Sequence, residues 1–152
     1  MARQPTCIHR EAETNTASQT LEELFGPPIS IYTRAQAIED GVLVSVPTKT
    51  SREAGFKWDV ALTAAAWDEC VAVPNGCEGL QDFEGRLWDV LWMARLAIRR
   101  MTGDANEIPF RLHVVKASAD LGRTPPIVEL KIHVGPGDEG EPVITIMQPE
   151  ED

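Results

Sequence analysis

The sequence predicts an α+β fold in which helices pack on one face of a small antiparallel sheet. Three observations support this prediction. The long segment over about 82–101 has the hydrophobic period of an α-helix. The last third of the chain instead alternates apolar and polar residues, as half-buried strands do. The links between these alternating segments contain glycine and proline, which favours strands joined as a meander.

The first half of the chain contains short helices with recognisable start and stop signals. Thr33-Arg-Ala-Gln36 is a capping box, in which the Thr and Gln side chains bind the free amides at the start of a helix. Gly41 supplies the left-handed residue after the end of that helix. Similar signals predict further elements: capping boxes at 20–23 and 50–53, a strand near 42–46, and a helix over 64–72 capped by Thr63.

The helix over about 82–101 carries two neighbouring stripes of residues. The first is apolar and is expected to face the core: Leu87, Leu91, Ala94, Ile98 and Met101. The second lies about 100° further round the helix: Trp88, Trp92, Arg95 and Arg99.

The second stripe has two interpretations. It is either the margin of a wide buried face, with the arginines extending to solvent, or an interface patch. The interface interpretation is supported by the enrichment of Trp and Arg at binding hot spots and by their ability to stack through cation–π contact. Trp58 and Trp67 are expected to be packing residues.

The predicted strands at about 110–116, 127–134 and 142–147 place polar side chains on one sheet face. If the first two strands pair as a hairpin, five residues share that face: Arg111, His113, Glu129, Lys131 and His133. A His–Glu pair within hydrogen-bond distance can transfer protons, so this polar sheet face is the candidate for enzymatic chemistry. The same pattern is typical of a solvated sheet face with cross-strand ion pairs.

Motifs of known chemistry are absent from the sequence. The chain has no nucleophile elbow, zinc-protease helix or dinucleotide-binding fingerprint, so no catalytic residue and no cofactor is assigned. Its three cysteines, Cys7, Cys70 and Cys77, lack the paired spacing of a zinc site and are expected to be reduced structural thiols. These absences favour a binding function over an enzyme.

Length and charge bound the remaining possibilities. A single domain over 20–152 follows a polar segment, residues 1–19, that is expected to be disordered. The formal net charge is −10, and residues 102–152 hold ten acidic but only four basic side chains. The acidic surface is expected near the end of the chain: Asp138, Glu139, Glu141, Glu150, Glu151 and Asp152.

This charge indicates the class of partner. Lys and Arg drive binding to phosphates, so the chain is expected to bind no nucleic acid directly and to favour a basic protein surface. No apolar run approaches the roughly 18 residues of a membrane span, and no secretory signal is recognisable. The expected location is the cytoplasm, without membrane contact.

Several segments together resemble a known family. They are LFGPPISIYTRAQAIEDGVLVSVP (24–47), REAGF (52–56), VALTAAAW (60–67), GRLWDVLWMA (85–94) and GPGDEGEPVITIMQPEED (135–152). The chain resembles, from about Leu21 to its end, a domain-of-unknown-function family of small acidic bacterial proteins carried on phages, plasmids and other mobile elements. The resemblance implies an accessory cytoplasmic protein and brings no catalytic residues.

The resulting functional expectation is inhibition by protein binding. The partner would be a nucleic-acid-binding defence complex of the host, so that the protein acts as an anti-restriction or anti-CRISPR-like inhibitor. Its carboxylates would then take the place of phosphates. Two alternatives stay open: a structural or regulatory homodimer joined through Trp88 and Trp92, and a small enzyme that uses the polar sheet face.

Overall fold

The described part of the chain consists of a five-stranded sheet with helices packed against it. The computed structural model describes residues 31–152; the 20–23 capping box and the 1–19 segment lie outside that range. The described helices are α1 (Arg34–Glu39), α2 (Thr48–Glu53), α3 (Ala64–Cys70) and α4 (Phe83–Arg100), with a short 3-10 helix at Ser118–Asp120. The strands are β1 (Leu43–Ser45), β2 (Val60–Thr63), β3 (Glu107–His113), β4 (Ile127–Pro136) and β5 (Pro142–Met147).

The strands are ordered β1-β2-β5-β4-β3, so β1 and β3 form the two edges. β3, β4 and β5 form the predicted antiparallel meander, and β1 pairs antiparallel with β2. The α+β class is confirmed. The prediction of a purely antiparallel sheet is wrong at one position, because β2 pairs parallel with β5.

The core lies between the sheet and α4. Leu87, Leu91 and Ala94 are buried, as the first stripe predicts, and Ile98 and Met101 pack at the margin of the core. Val90 is fully buried as well, so the buried face of α4 is wider than that stripe. The opposing sheet residues are alternate positions of the strands, among them Leu62, Phe110, Leu130, Ile132 and Ile146.

The helix signals have different outcomes. The box at Thr33 is confirmed: Thr33 Oγ1 accepts from Gln36 N at 3.1 Å, and Gln36 Oε1 accepts from Thr33 N at 2.9 Å. Thr63 caps α3, which ends at Cys70 and not at residue 72. The box at 50–53 is wrong. That helix begins earlier, at Thr48, because Ser51 N already donates to Pro47 O at 3.0 Å, which places Thr50 inside the first turn.

The strand predictions differ mainly in their limits. β3 covers 107–113 where 110–116 was expected, because Pro109 is tolerated on an edge strand and does not delay its start. β4 runs two residues past the expected 127–134, whereas β5 has the expected limits. Within residues 31–152, no helix combines the length and apolar character needed to cross a membrane.

Candidate interaction surface

Two tryptophans are stacked on the outside of α4. The rings of Trp88 and Trp92 lie 6.4 Å apart between centroids with 19° between their planes. They are four residues apart and therefore project from the same side of the helix. Trp88 is 37% exposed and Trp92 is 47% exposed, although a tryptophan usually buries more of its large apolar area. The two rings therefore stack on each other and are only partly covered.

A cleft opens beside each tryptophan. The first, the Trp92 cleft, has a volume of about 420 Å³ and is lined by Asp89, Trp92, Met93, Arg111, Leu112, His113 and Ile127. The second, the Trp88 cleft, has a volume of about 500 Å³ and is lined by Ser45, Pro47, Lys49, Thr50, Glu53, Trp67, Phe83, Glu84, Leu87 and Trp88. The stacked pair therefore separates two concave regions, each with its own tryptophan in the wall.

Two more exposed apolar side chains extend the patch. Phe83 lines the same cleft as Trp88, and Ile127 lines the same cleft as Trp92. Phe83 is 51% exposed and Ile127 is 59% exposed. We call Phe83, Trp88, Trp92 and Ile127 the α4 aromatic surface. A connected exposed apolar patch of this kind is a feature of protein-binding sites.

The two arginines of the second stripe lie apart from the tryptophans. Arg95 packs over Gly55, whose φ is +94°: a Cβ at Gly55 would lie 3.0 Å from Arg95 Nε. Arg95 lines a separate cleft there with Trp58, which is itself 43% exposed and so contradicts its expected packing role. Arg99 is exposed. The described residues show no cation–π contact. The aromatic contact that they do show is the stack between Trp88 and Trp92.

Acidic residues flank the α4 aromatic surface. Glu53 and Glu84 lie in the Trp88 cleft together with Lys49. Asp89 lies in the Trp92 cleft together with Arg111, which pairs with Glu129. Partial burial raises the pKa of the Asp89 carboxyl, and the charge of Arg86 partly opposes this shift.

The expected acidic residues near the end of the chain lie at the surface, and three of the six also make internal hydrogen bonds. Asp138 accepts the backbone N–H groups of Arg34 at 2.6 Å and Ala35 at 2.9 Å, at the start of α1. Glu151 accepts from Thr63 Oγ1 at 2.7 Å and from Gln148 N at 2.8 Å.

Glu141 also makes a local bond, because it accepts the N–H of Glu139 at 2.9 Å. All of the six except the half-buried Glu151 are nevertheless exposed. Half of the six carboxylates thus hold the chain's own backbone or side chains.

The side chains of the polar sheet face form ion pairs between β3 and β4. Arg111 pairs with Glu129, which lies directly opposite it. Lys131 Nζ lies 3.2 Å from Glu107 Oε1. His133 Nδ1 lies 3.7 Å from the same oxygen, which is beyond hydrogen-bond distance. Glu107, which the expected strand limits left outside β3, is thus the carboxylate that joins Lys131 and His133.

His113 lies at the end of that face and turns to a different partner. Its Nδ1 lies 2.7 Å from the carbonyl oxygen of Pro125. A carbonyl only accepts hydrogen bonds, so Nδ1 carries the proton and the ring is held in place. No carboxylate among residues 31–152 lies within hydrogen-bond distance of either His113 or His133 in this arrangement.

Sequence reasoning missed Arg86, which is buried beside the core stripe. Arg86 is 7% exposed, and burial lowers the pKa of its guanidinium.

The free thiols of Cys70 and Cys77 are buried, and desolvation raises the pKa of Cys70 to about 12, which suits a structural thiol and not a nucleophile. Cys7 lies outside the described residues. Residues 31–152 contain no group of three side chains suited to a metal.

One family model matches the chain. It is described as a family of unknown function (DUF6573), and the match covers residues 26–152. The chain belongs to this family. The match confirms one part of the resemblance inferred from the sequence, namely membership of a family of unknown function. No curated protein and no solved structure matches the chain. Membership carries no activity with it, so a function is argued from the geometry above.

Proposed function

We propose that this protein acts by binding another protein through the α4 aromatic surface. The observation that carries the proposal is the exposed stack of Trp88 and Trp92 between two clefts. Rigid aromatic side chains bury a large apolar area at a small entropic cost, and they dominate the energetics of many interfaces. The two clefts give partner side chains concave sites on both sides of the stack.

The partner surface that fits this patch is basic. Glu84 and Asp89 lie in the two clefts, and the chain as a whole carries a formal net charge of −10. The lining cation Arg111 is already paired with Glu129, and Lys49 lies near Glu53. Opposite charge on the partner accelerates encounter and fixes orientation. The complex should therefore form more slowly as the salt concentration rises, because the Debye length falls from about 10 Å at 0.1 M to about 3 Å at 1 M.

Inhibition of a nucleic-acid-binding defence complex is the narrower form of this proposal. A basic complex of that kind offers the complementary charge. Mimicry of phosphates by the end of the chain would rest mainly on Glu139, Glu150 and Asp152, because Asp138, Glu141 and Glu151 also make internal hydrogen bonds. An accessory role in the cytoplasm, on a phage, plasmid or other mobile element, rests on the resemblance alone.

The experiment compares capture of a partner by matched tryptophan variants. Tagged wild type, the Trp88→Ala/Trp92→Ala double variant and the Trp58→Ala variant are exposed to the same cell extract, and bound proteins are identified and quantified. Trp58 is the control because it is similarly exposed but lies in a different cleft. We expect a basic protein whose capture falls at least tenfold in the double variant only.

Two results would contradict the proposal. One is that no captured protein distinguishes the double variant from Trp58→Ala. The other is light scattering that shows a stable homodimer of wild type which the double variant loses, because the tryptophans would then join two copies of this chain.

A further inference from the structure

The outer edge of β3 has backbone hydrogen-bonding groups that none of the described residues engages. β3 ends the strand order, and its inner side pairs with β4. Asn106 O accepts from Val134 N at 2.8 Å, and Val114 N donates to Pro126 O at 3.0 Å. In an antiparallel pair such bonds alternate along the strand. The even-numbered residues therefore point their N–H and C=O groups to β4, and the odd-numbered residues point theirs outward.

A groove runs along this edge between β3 and α4. One part is the Trp92 cleft. The other is a cleft of about 460 Å³ bounded by Ala97, Arg100 and Met101 of the helix side and by Ile108 and Phe110 of β3. Met93 and Arg111 line both parts, so the two are continuous.

The groove has the length of a short extended peptide. From Asp89 to Arg100 the helix rises about 16 Å, at about 1.5 Å per residue. From Ile108 to His113 the strand also spans about 16 Å, at about 3.3 Å per residue. Five extended residues occupy the same distance. The groove also has opposite charges at its two ends, Asp89 near His113 and Arg100 near Ile108, and Arg111 between them is paired with Glu129.

We propose that the edge of β3 and this groove bind an extended segment of the partner protein, antiparallel to β3, with a basic residue at Asp89, an apolar residue at Met93 and an acidic residue at Arg100. This inference rests on the proposed function, because it names the part of the partner that enters the Trp92 cleft. The occupant follows from main-chain bonding along a strand edge combined with charge complementarity at the groove ends.

The sequence of β3 favours a foreign strand over a second copy of itself. Pro109 has no N–H, so Arg111 is the one outward donor within the span from Ile108 to Leu112. Two copies of β3 would both lack the same donor. A partner strand without proline supplies its own N–H groups to the outward carbonyls of Pro109 and Arg111.

The test uses a synthetic pentapeptide, acetyl-Arg-Thr-Val-Thr-Glu-amide, and its charge-reversed counterpart, acetyl-Glu-Thr-Val-Thr-Arg-amide. Both have the same composition and differ only in which end meets Asp89. Binding to the full chain is followed by the backbone amide resonances of an isotope-labelled sample. We expect shifts at Arg111 and His113, and an affinity at least about tenfold higher for the first peptide.

N-methylation of the peptide tests the main-chain bonds without changing the protein. The N–H of the second residue points at the carbonyl of Arg111, so its methylation should weaken binding about threefold to tenfold, as expected for one net hydrogen bond. The N–H of the third residue points away from β3, and its methylation is the matched control that should leave binding unchanged. Arg111→Pro should likewise bind more weakly than Arg111→Ala, with thermal unfolding used to verify that both variants fold.

Equal affinity for the two charge patterns, equal effects of the two N-methyl groups, or resonance shifts confined to other segments would each overturn the inference. The proposed function fails on a different result. Trp88 lies outside this groove, so peptide binding should persist in Trp88→Ala, whereas partner capture through the α4 aromatic surface should not.

Discussion

Arg86 links three separate parts of the chain from within the core. Its Nε donates to the carbonyl of Val71 at 3.1 Å, and its Nη1 donates to the carbonyl of Val115 at 3.0 Å and to Gln81 Oε1 at 2.6 Å. Nη2 is buried and has no hydrogen-bond partner among the described residues. The guanidinium therefore satisfies buried carbonyls that no other described side chain reaches, and it does so at a cost in desolvation.

Arg86→Met should lower the free energy of unfolding by about 2–4 kcal/mol, because buried carbonyls lose their donors while the apolar stem is retained. Urea unfolding measures the loss. Arg99→Met is the control on the same helix: Arg99 is exposed, so this variant should stay within about 0.5 kcal/mol of wild type. Equal losses for both variants would show that the bonds of Arg86 contribute nothing specific.

Glu69 should make stability depend on pH in the acid range. Its carboxylate accepts from Lys116 Nζ at 2.6 Å and from Gln148 Nε2 at 2.8 Å. The hydrogen bond from Lys116, opposed by burial and assisted by Gln148, lowers the pKa of Glu69 below its usual 4.5. Because the unfolded chain binds this proton more readily, the stabilisation is present above the unfolded pKa and is lost as the pH falls through the folded one.

Glu69→Gln should therefore cost up to about 1 kcal/mol of unfolding free energy at pH 7, where both partners are partly solvated. The difference from wild type should shrink progressively below about pH 5. Urea unfolding at a series of pH values measures it, with Glu150→Gln as an exposed control. A difference that grew on acidification would have the wrong sign for this mechanism.

The position of α4 depends on its N-cap. Asp82 accepts the backbone N–H of Gly85 at 2.7 Å, at the positive end of the helix dipole. Asp82→Ala should reduce stability by about 1 kcal/mol, and Asp82→Asn should retain most of the cap. Thermal unfolding of the two variants gives the comparison. An alanine variant as stable as the asparagine variant would show that the cap does not help to fix α4.

The elements that the sequence predicts well are those whose signal is local. α4 has the expected limits within a residue because its hydrophobic period and its Asp82 cap both lie within the segment. β2 was missed because all four of its residues, Val60–Thr63, are buried. A strand buried on both faces shows no alternation, and its parallel pairing with β5 joins segments about 80 residues apart in sequence.

The candidate surface was predictable only in part, because only some of its residues are brought together by a local sequence pattern. The spacing of Trp88 and Trp92 on one helix is visible in the sequence, and the structure places the two rings together. Ile127 joins them through tertiary packing, because it comes from a strand that no local pattern connects to α4. Phe83 lies on α4 itself but outside the stripe of Trp88 and Trp92, so the stripe does not reveal it. The Arg95 side chain packs over Gly55 and not beside the tryptophans, and helical spacing does not reveal this contact.

Charge and apolar exposure coincide on one region of the molecule. The α4 aromatic surface lies between clefts that contain Glu84 and Asp89, whereas Asp138 and Glu151 hold the fold together. Part of the net charge of −10 thus serves internal bonding near the end of the chain, and the proposed function assigns the attraction of a basic partner to the charge around α4.

The central claim is that a partner protein sits on Trp88 and Trp92. Its most direct test is site-specific photo-crosslinking in cells, with a photo-reactive phenylalanine derivative placed at position 88, 92 or 58 in turn. Covalent capture of the same protein from positions 88 and 92, and not from position 58, is the expected result. Capture from position 58 alone, or of no protein from positions 88 and 92, would contradict the account.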